Sequence, residues 1–210
     1  MVLDAGCPRC PSPVAESDAR WRCAAHGLVP PLWRAAEASY DSFGEHLRRA
    51  GGFPTYLPWP MASGWQVTDF GVVVGGTGAV ATVASVAGVS PLDGPVEVTM
   101  VSEEPATGLG SRCAGTVHSD PGAEIGAEAP SMRVRVDGQV VPLWLLPMSG
   151  DDAVRDRAVA AGEAHGRWLW LVVTPASALL LLREDWLVAD VSGVGAPLLE
   201  LPFGGPRASW

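Results

Sequence analysis

The sequence contains no lysine and no asparagine, and all 14 of its basic residues are arginines. Without a lysine amine, the protein cannot form a Schiff base with a carbonyl substrate or with pyridoxal phosphate. The P-loop, which places a lysine on nucleotide phosphates, is excluded for the same reason. Basic residues are also scarce, because 23 acidic residues give a formal charge of −9. The densest arginine cluster is the pair Arg48 and Arg49, so nucleic acid is an unfavourable partner.

Long hydrophobic segments are few and poorly suited to a membrane. The uncharged run 70–92 consists mostly of glycine, alanine, valine, threonine and serine, a composition that favours strands over a transmembrane helix. The run 168–182 contains Pro175 and is shorter than the roughly 20 residues that spanning requires. The first cysteine, Cys7, follows Met1 too closely for a signal peptide. We therefore expect a cytoplasmic protein without a membrane span.

The cysteine spacing near the N-terminus is that of a metal site. Cys7 and Cys10 form a C-x2-C pair, and twelve residues later Cys23 and His26 form a C-x2-H pair. Two intervening residues let the chain turn so that both side chains of a pair face one ion. Thiolates and an imidazole are ligands that zinc prefers. The alternative is a set of free or redox-active thiols, but the second pair favours a metal.

Four protein ligands would close a tetrahedral zinc site. Such a site has no position for water or substrate, so the predicted zinc is structural and not catalytic. Metal binding is worth about 10 to 16 kcal/mol in zinc-finger peptides, enough to fold a segment that buries little by itself. The remaining cysteine, Cys113, is interpreted as a buried thiol, with a nucleophile as the alternative.

The hydrophobic periodicity predicts an α+β fold with a mostly antiparallel sheet. We expect a zinc ribbon or knuckle at residues 1–33, a connecting amphipathic helix at 34–52 and an α+β domain at 53–210. The helix prediction rests on aromatic and aliphatic residues spaced three and four apart from Trp33 to Leu47. A second helix is predicted from Asp151 to His165, ended by Gly166.

Strands are predicted where segments rich in β-branched residues are separated by glycine or proline. The proline-rich segment 53–60 should run extended along a surface, and the Asp137-Gly138 pair predicts a hairpin. The continuously apolar runs 168–173 and 178–182 should form the centre of the sheet. The predicted strands are 65–74, 79–87, 96–101, 132–136, 140–146 and those two runs, with short edge strands at 186–191 and 198–202.

Several patterns suggest chemistry but are weaker than the metal motif. The string Gly76 to Ala81 matches a dinucleotide-binding fingerprint, but the following residues lack a helical pattern, so a hairpin turn at 75–78 is the simpler interpretation. His118 and Asp120 have no nucleophile whose proximity the sequence predicts, so no catalytic triad is assigned. Glu103 and Glu104 are interpreted as solvated. No catalytic or organic-cofactor residue is therefore predicted.

Further motifs are distributed along the rest of the chain. They are Leu57-Pro58-Trp59-Pro60, Gly64-Trp65, Gly108-Leu109-Gly110, Ala114-Gly115, Pro142-Leu143-Trp144, and Ala161-Gly162-Glu163-Ala164 followed by Gly166, Trp168, Leu169 and Trp170. Together with the three cysteines and His26, and in this order, they make the chain resemble an uncharacterised family of actinobacterial proteins of this length. The resemblance implies a fold but no mechanism. Some relatives carry the label phosphotransacetylase, for which no motif is present here.

The sequence favours a non-catalytic binding or regulatory protein with a structural zinc ion and a protein partner. Nine tryptophans are available for covering surfaces. The first alternative is an enzyme acting on a small anionic or acyl substrate, in a pocket lined by arginines such as Arg112, Arg133 or Arg167. The second is a zinc-ribbon protein associated with nucleic acid, which the charge balance disfavours.

Overall fold

The computed structural model describes residues 3–122, 125–147, 156–182 and 187–210. Within these ranges the chain forms a large sheet, a small sheet and two α-helices, in the α+β arrangement predicted from the sequence. The elements are β1 (Leu3–Gly6), β2 (Val14–Ser17), β3 (Arg20–Cys23), β4 (Gly27–Leu28), β5 (Leu32–Ala35), α1 (Tyr40–Ala50), β6 (Tyr56–Pro58), β7 (Gln66–Gly75), β8 (Gly78–Ser90), β9 (Gly94–Glu103), α2 (Leu109–Ala114), β10 (Met132–Val136), β11 (Gln139–Leu145), β12 (Ala158–Ala164), β13 (Arg167–Thr174) and β14 (Leu187–Asp190). Short 3-10 helices cover Ala176–Leu182 and Ala196–Glu200.

The large sheet has eleven strands among the described residues, in the order β1-β5-β7-β8-β9-β13-β12-β11-β10-β14-β6. Its paired strands are antiparallel except for β10 and β14. Tight turns make this possible: β7 and β8 pair up to Gly75 and Gly78, and β10 and β11 meet at Asp137-Gly138. Both predicted hairpins are therefore confirmed, and the dinucleotide interpretation of Gly76 to Ala81 is wrong because a strand follows the glycines.

Each face of this sheet carries a hydrophobic core. The larger core takes side chains from β6 to β14, and β6 packs back against β8 and β9, so the sheet curls around it. Helix α1 closes this core with Phe43, which contacts Phe70 and Phe203. The smaller core lies on the other face, where α2 covers Trp170 of β13. Two cores are expected for a sheet whose central strands are apolar on both faces.

The predicted second helix at 151–165 is wrong in its described part. Ala158–Ala164 is strand β12, joined to β13 by a turn at His165-Gly166, where both residues have positive φ. The small residues suggested helix packing, but they serve close approach of strands instead. A Cβ on Gly162 would lie 2.2 Å from the Pro142 carbonyl oxygen of β11. Residues 151–155 lie outside the described ranges.

The predicted connecting helix is shorter than the sequence suggested. Residues Leu32–Ala35 form β5, and α1 begins only at Tyr40, after the N-cap Ser39. The Ser39 side chain accepts a hydrogen bond from the Ser42 N–H, and the Ser42 hydroxyl accepts one from the Ser39 N–H. Leu32 to Arg34 have sheet partners on both sides, in β1 and β7, so they cannot join the helix.

Two predicted strands are also replaced by other structure. Residues 178–182 and most of 198–202 fall in the 3-10 helices. The segment 53–60 is extended as predicted, and its middle forms the edge strand β6, whose Leu57 is fully buried. The run 168–173 forms most of β13 at the centre of the sheet, as predicted. In the described ranges, the helices are too short or too polar for any of them to cross a membrane.

Candidate metal centre

The small sheet positions the four predicted ligands. Cys7 and Cys10 lie in the loop after β1, Cys23 ends β3, and His26 stands just before β4. Strand β3 pairs with β2 on one side and with β4 on the other, in the order β2-β3-β4. The turn between β2 and β3 is tight because Asp18 and Ala19 both have positive φ. This folding brings ligands separated by up to 19 residues to one point.

The geometry of the cluster fits a tetrahedral ion. The four ligand atoms all lie within 4.8 Å of one another. The Sγ atoms of Cys10 and Cys23 are 3.7 Å apart, and the His26 Nδ1 atom is 3.5 Å from Cys7 Sγ and 3.6 Å from Cys23 Sγ. Metal–sulfur bonds of about 2.3 Å at tetrahedral angles place neighbouring sulfurs about 3.7 Å apart. These four residues could therefore bind a metal ion.

The four candidate ligands differ in their exposure to solvent. Cys7 and Cys23 are buried, whereas His26 is exposed on its outer side. Burial raises the pKa of Cys7 to about 11, against the effect of the Arg9 N–H that donates to its Sγ. Burial also acts to raise the pKa of Cys10, but hydrogen bonds from the side chain and backbone of Ser12 lower it to about 6. Backbone and hydroxyl donors thus favour thiolate at one ligand.

Two arginines fasten the cluster to the large sheet. The Arg9 guanidinium donates from Nε to the Thr107 carbonyl at 3.1 Å and from an Nη atom to the Ala106 carbonyl at 2.6 Å. The Arg112 guanidinium, carried by α2, donates to the Cys7 carbonyl. Because these bonds join residues about 100 positions apart, the metal cluster has a fixed place against α2 and the loop before it.

The other residues considered in the sequence do not gather around the cluster. Cys113 is 1% exposed in the smaller core, and burial raises its pKa, as an inert buried thiol requires. Asp120 accepts a hydrogen bond from the Ala106 N–H, and His118 is exposed in the same loop. Neither forms a hydrogen bond with Cys113 or Ser111 in the described part of the chain.

The three arginines proposed for an anion pocket lie in different environments. The Arg112 guanidinium donates a hydrogen bond to the Cys7 carbonyl, and its central carbon lies 5.1 Å from the centroid of the Trp210 ring. The Arg167 guanidinium carbon lies 4.6 Å from the centroid of the Phe53 ring. Arg133 is exposed on β10. They do not converge on one cavity.

Glu103 was interpreted as solvated from the sequence, and this interpretation is wrong. It is fully buried, and its Oε2 atom accepts hydrogen bonds from the backbone of Leu109 at 2.8 Å and Gly110 at 3.2 Å. Burial raises its pKa to about 7, although these two donors and Trp170 act to lower it. The available signal was alternation along β9, which places Glu103 on the same face as the buried Val101.

Comparison with known proteins gives one match. A model described as a family of unknown function (DUF6758) matches residues 1–209. No curated protein and no solved structure matches the chain. This agrees with the resemblance to an uncharacterised family, and it assigns no activity to the cluster.

Proposed function

We propose that this chain, which belongs to the DUF6758 family of unknown function, is a non-catalytic binding or regulatory protein with a structural zinc ion. The observation that carries the proposal is the convergence of Cys7, Cys10, Cys23 and His26 at the spacing of a tetrahedral site. Three thiolates and one imidazole suit zinc better than calcium or magnesium, which take oxygen ligands. Family membership assigns no activity, so the role is argued from this site.

A structural role follows from the number of ligands. Zinc sites that catalyse reactions have three protein ligands and an open fourth position, whereas structural sites have four. Here the four ligands come from the small sheet and the loops around it, a segment that buries little else. Its apolar cluster consists of Cys7, Cys23 and Val29, with Cys10 and Val14 partly buried beside it. The ion would therefore replace the hydrophobic core that this segment lacks.

The rest of the described chain supports a binding role over an enzymatic one. An enzyme acting on an anionic substrate needs cations that converge on one pocket, but Arg112, Arg133 and Arg167 lie apart. Among the buried ionisable groups of the described chain, Glu103 and Cys113 are held by the backbone or by the core. Asp69 is paired with Arg34, and His46 forms a hydrogen bond with Thr55. The nucleic-acid alternative would need a basic surface in a chain whose formal charge is −9.

Cobalt substitution tests whether the site is closed. Purified protein would be depleted of metal, loaded with Co²⁺ and titrated with thiocyanate while its visible absorption is recorded. We expect an intense tetrahedral spectrum that thiocyanate does not change, because four protein ligands leave no position for the anion. Elemental analysis of untagged protein should give one zinc ion per chain.

A variant with one ligand removed provides the positive control. Cys10→Ala should still bind Co²⁺ through the three remaining ligands, and its spectrum should shift with thiocyanate because one position is now open. If the wild-type spectrum shifts in the same way, the site is open and the structural role is wrong. Absence of bound transition metal in the untagged protein would also overturn the proposal.

A further inference from the structure

An open groove of about 660 Å³ lies between the small sheet and the turn that joins β7 to β8. One wall is formed by the β2–β3 turn, β3 and the segment after β4, and the other by β5, the end of α1 and the β7–β8 turn. The lining includes Arg20, Trp21, Leu28, Val29, Trp33 and Arg49.

The groove offers an apolar floor. The rings of Trp21 and Trp33 meet edge to face, with centroids 5.4 Å apart and planes at 81°. Beside them Leu28 is 54% exposed, although it is a large aliphatic residue. Aromatic anchors with an exposed aliphatic neighbour are typical of the centre of an interface.

The charge of the groove is opposite to that of the chain. Its described lining includes Arg20 and Arg49 and no acidic residue, whereas the chain has a formal charge of −9. Arg49 is paired with Glu45 at 2.7 Å and stacks on Trp33 at 4.2 Å. Arg20 is exposed and has no ion-pair partner among the described residues. A ligand with acidic groups would therefore be attracted to this surface in preference to the rest of the molecule.

The metal cluster holds one wall of the groove in place. Trp21 lies two residues before Cys23 on β3, and Leu28 lies two residues after His26. The Val29 N–H donates to the Trp21 carbonyl at 3.1 Å, which ties the two parts of the wall together. Loss of the ion would free the loop between Cys23 and His26, and the wall would lose its shape.

We propose that this groove binds an extended peptide segment of a partner protein, in which acidic residues flank a bulky apolar side chain. The apolar side chain packs against Trp21 and Leu28. An acidic residue of the peptide faces Arg20, whereas Arg49 is already paired with Glu45. The inference deepens the proposed function and rests on it, since it names the partner class and makes binding depend on the metal.

Single-stranded nucleic acid is the less favoured occupant. Stacking of successive bases needs free aromatic faces. Arg49 already covers one face of Trp33, and Trp21 meets that ring edge to face. Two arginines in a strongly acidic chain also give a weak site for a polyanion.

Selection from a displayed library of random short peptides tests the proposal. We expect enriched peptides to share an apolar residue flanked by aspartate or glutamate. The affinity of the best peptide, measured by calorimetry, should fall about tenfold for Arg20→Glu, because an attraction becomes a repulsion. Leu28→Asp should have a similar or larger effect, and removal of the metal with a chelator should abolish binding.

Two matched variants control for charge and surface hydrophobicity. Arg133→Glu makes the same charge change at an exposed position of β10, outside the groove, and Leu92→Asp changes a leucine that is 93% exposed elsewhere. Both should bind the peptide within about twofold of the wild type, since neither contacts it.

Three outcomes would overturn the inference: no enriched sequence, a basic consensus, or equal affinity in the wild type and Arg20→Glu. Tighter binding of a polyuridine oligonucleotide than of any peptide, lost in Arg20→Glu, would reassign the groove to nucleic acid. These failures leave the closed zinc site intact, whereas a thiocyanate-sensitive cobalt spectrum would overturn the structural zinc even if peptides bind.

Discussion

Glu103 lies at the junction of β9 and α2, where its carboxylate accepts the first two N–H groups of the helix. Its other oxygen, Oε1, forms no hydrogen bond of normal geometry among the described residues, although the Trp170 side chain acts to lower the pKa of the carboxyl group. A buried oxygen without a partner makes the charged form costly. This explains why burial outweighs the two donors and raises the pKa from 4.5 to about 7.

Glu103→Gln should therefore change how stability depends on pH. A carboxyl group whose pKa is higher in the folded state stabilises the fold only while it is protonated. The free energy of unfolding should fall as pH rises from about 4.5 to 7, by up to about 1.4 kcal/mol per pH unit. Glutamine cannot ionise, so urea unfolding of the variant should lack this component of the slope.

The matched control is Glu104→Gln, because Glu104 is the exposed neighbour. Release of a bound metal at low pH would contribute equally to both variants and to the wild type, so the difference in slope isolates Glu103. An identical slope in wild type and Glu103→Gln would mean that the carboxyl titrates normally in the folded protein.

Helix α1 shows how capping fixes the limits of an element. Its start is set by the Ser39 and Ser42 capping box, and its end by Gly51 in the left-handed region, with φ of 57°. Acidic Asp41 stands in the first turn and basic Arg48 and Arg49 in the last, which complements the helix dipole. The helix needs only Phe43 and a few neighbours to hold it on the larger core.

Gly44→Ala should stabilise this helix. Gly44 lies within α1, and a Cβ added there would meet no atom of the described structure within 4 Å beyond its own helix. Alanine has a higher helix propensity, so the free energy of unfolding should rise by about 0.5 to 1 kcal/mol. Thermal unfolding should show a midpoint about 2 to 4 °C higher.

The same substitution at Gly51 provides the opposite result. Alanine at a φ of 57° is strained by about 1 kcal/mol, so Gly51→Ala should lower the midpoint. If Gly44→Ala also lowers it, the exposed side of α1 contacts something that the structure does not describe.

At the scale of the whole molecule, the four candidate ligands belong to a region with a small sheet of its own, and this region is joined to the large sheet by strands and side-chain hydrogen bonds. The ligands lie in the small sheet and the loops around it, which have their own apolar cluster. Strands β1 and β5 on either side belong to the large sheet, and Arg9 and Arg112 bind across the boundary. The division of the chain at residue 33 remains a prediction.

Cys23→Ser should separate these parts by experiment. Loss of one thiolate should weaken metal binding, and once a chelator has removed the ion, hydrogen exchange of backbone amides in residues 7–30 should become fast. The amides of β7 to β9 should stay protected, because their cores do not include the metal cluster. Mass spectrometry of the exchanged protein would measure both regions.

Ser17→Ala, an exposed change on β2 that removes no ligand, serves as the control and should leave exchange unaltered. Loss of protection in β7 to β9 of Cys23→Ser would mean that residues 1–33 and the large sheet unfold as one unit.

Patterns within a few residues were read correctly from the sequence. The turn at Asp137-Gly138, the turn at 75–78 and the apolar run of β13 follow from local conformational preferences. The predicted helix at 151–165 is wrong in its described part because the small residues from Ala158 to Ala164 suit both a helix and a strand. The close approach of β11 to Gly162, which favours the strand, is a tertiary contact. The three- and four-residue spacing of apolar residues from Trp33 onward suggested a helix. The strand partners of Trp33, in β1 and β7, lie elsewhere in the chain and leave no local pattern.

The sequence by itself determined which four residues form the candidate metal site, since two pairs of potential ligands with two-residue spacing have few other uses and the loop between them is short. Only the tertiary structure decided the hydrogen bonds of Glu103 to α2, the separation of the three arginines and the groove beside Trp21 and Trp33. Each of these depends on contacts between distant strands. Register and sheet order, which no local pattern encodes, set which side chains meet.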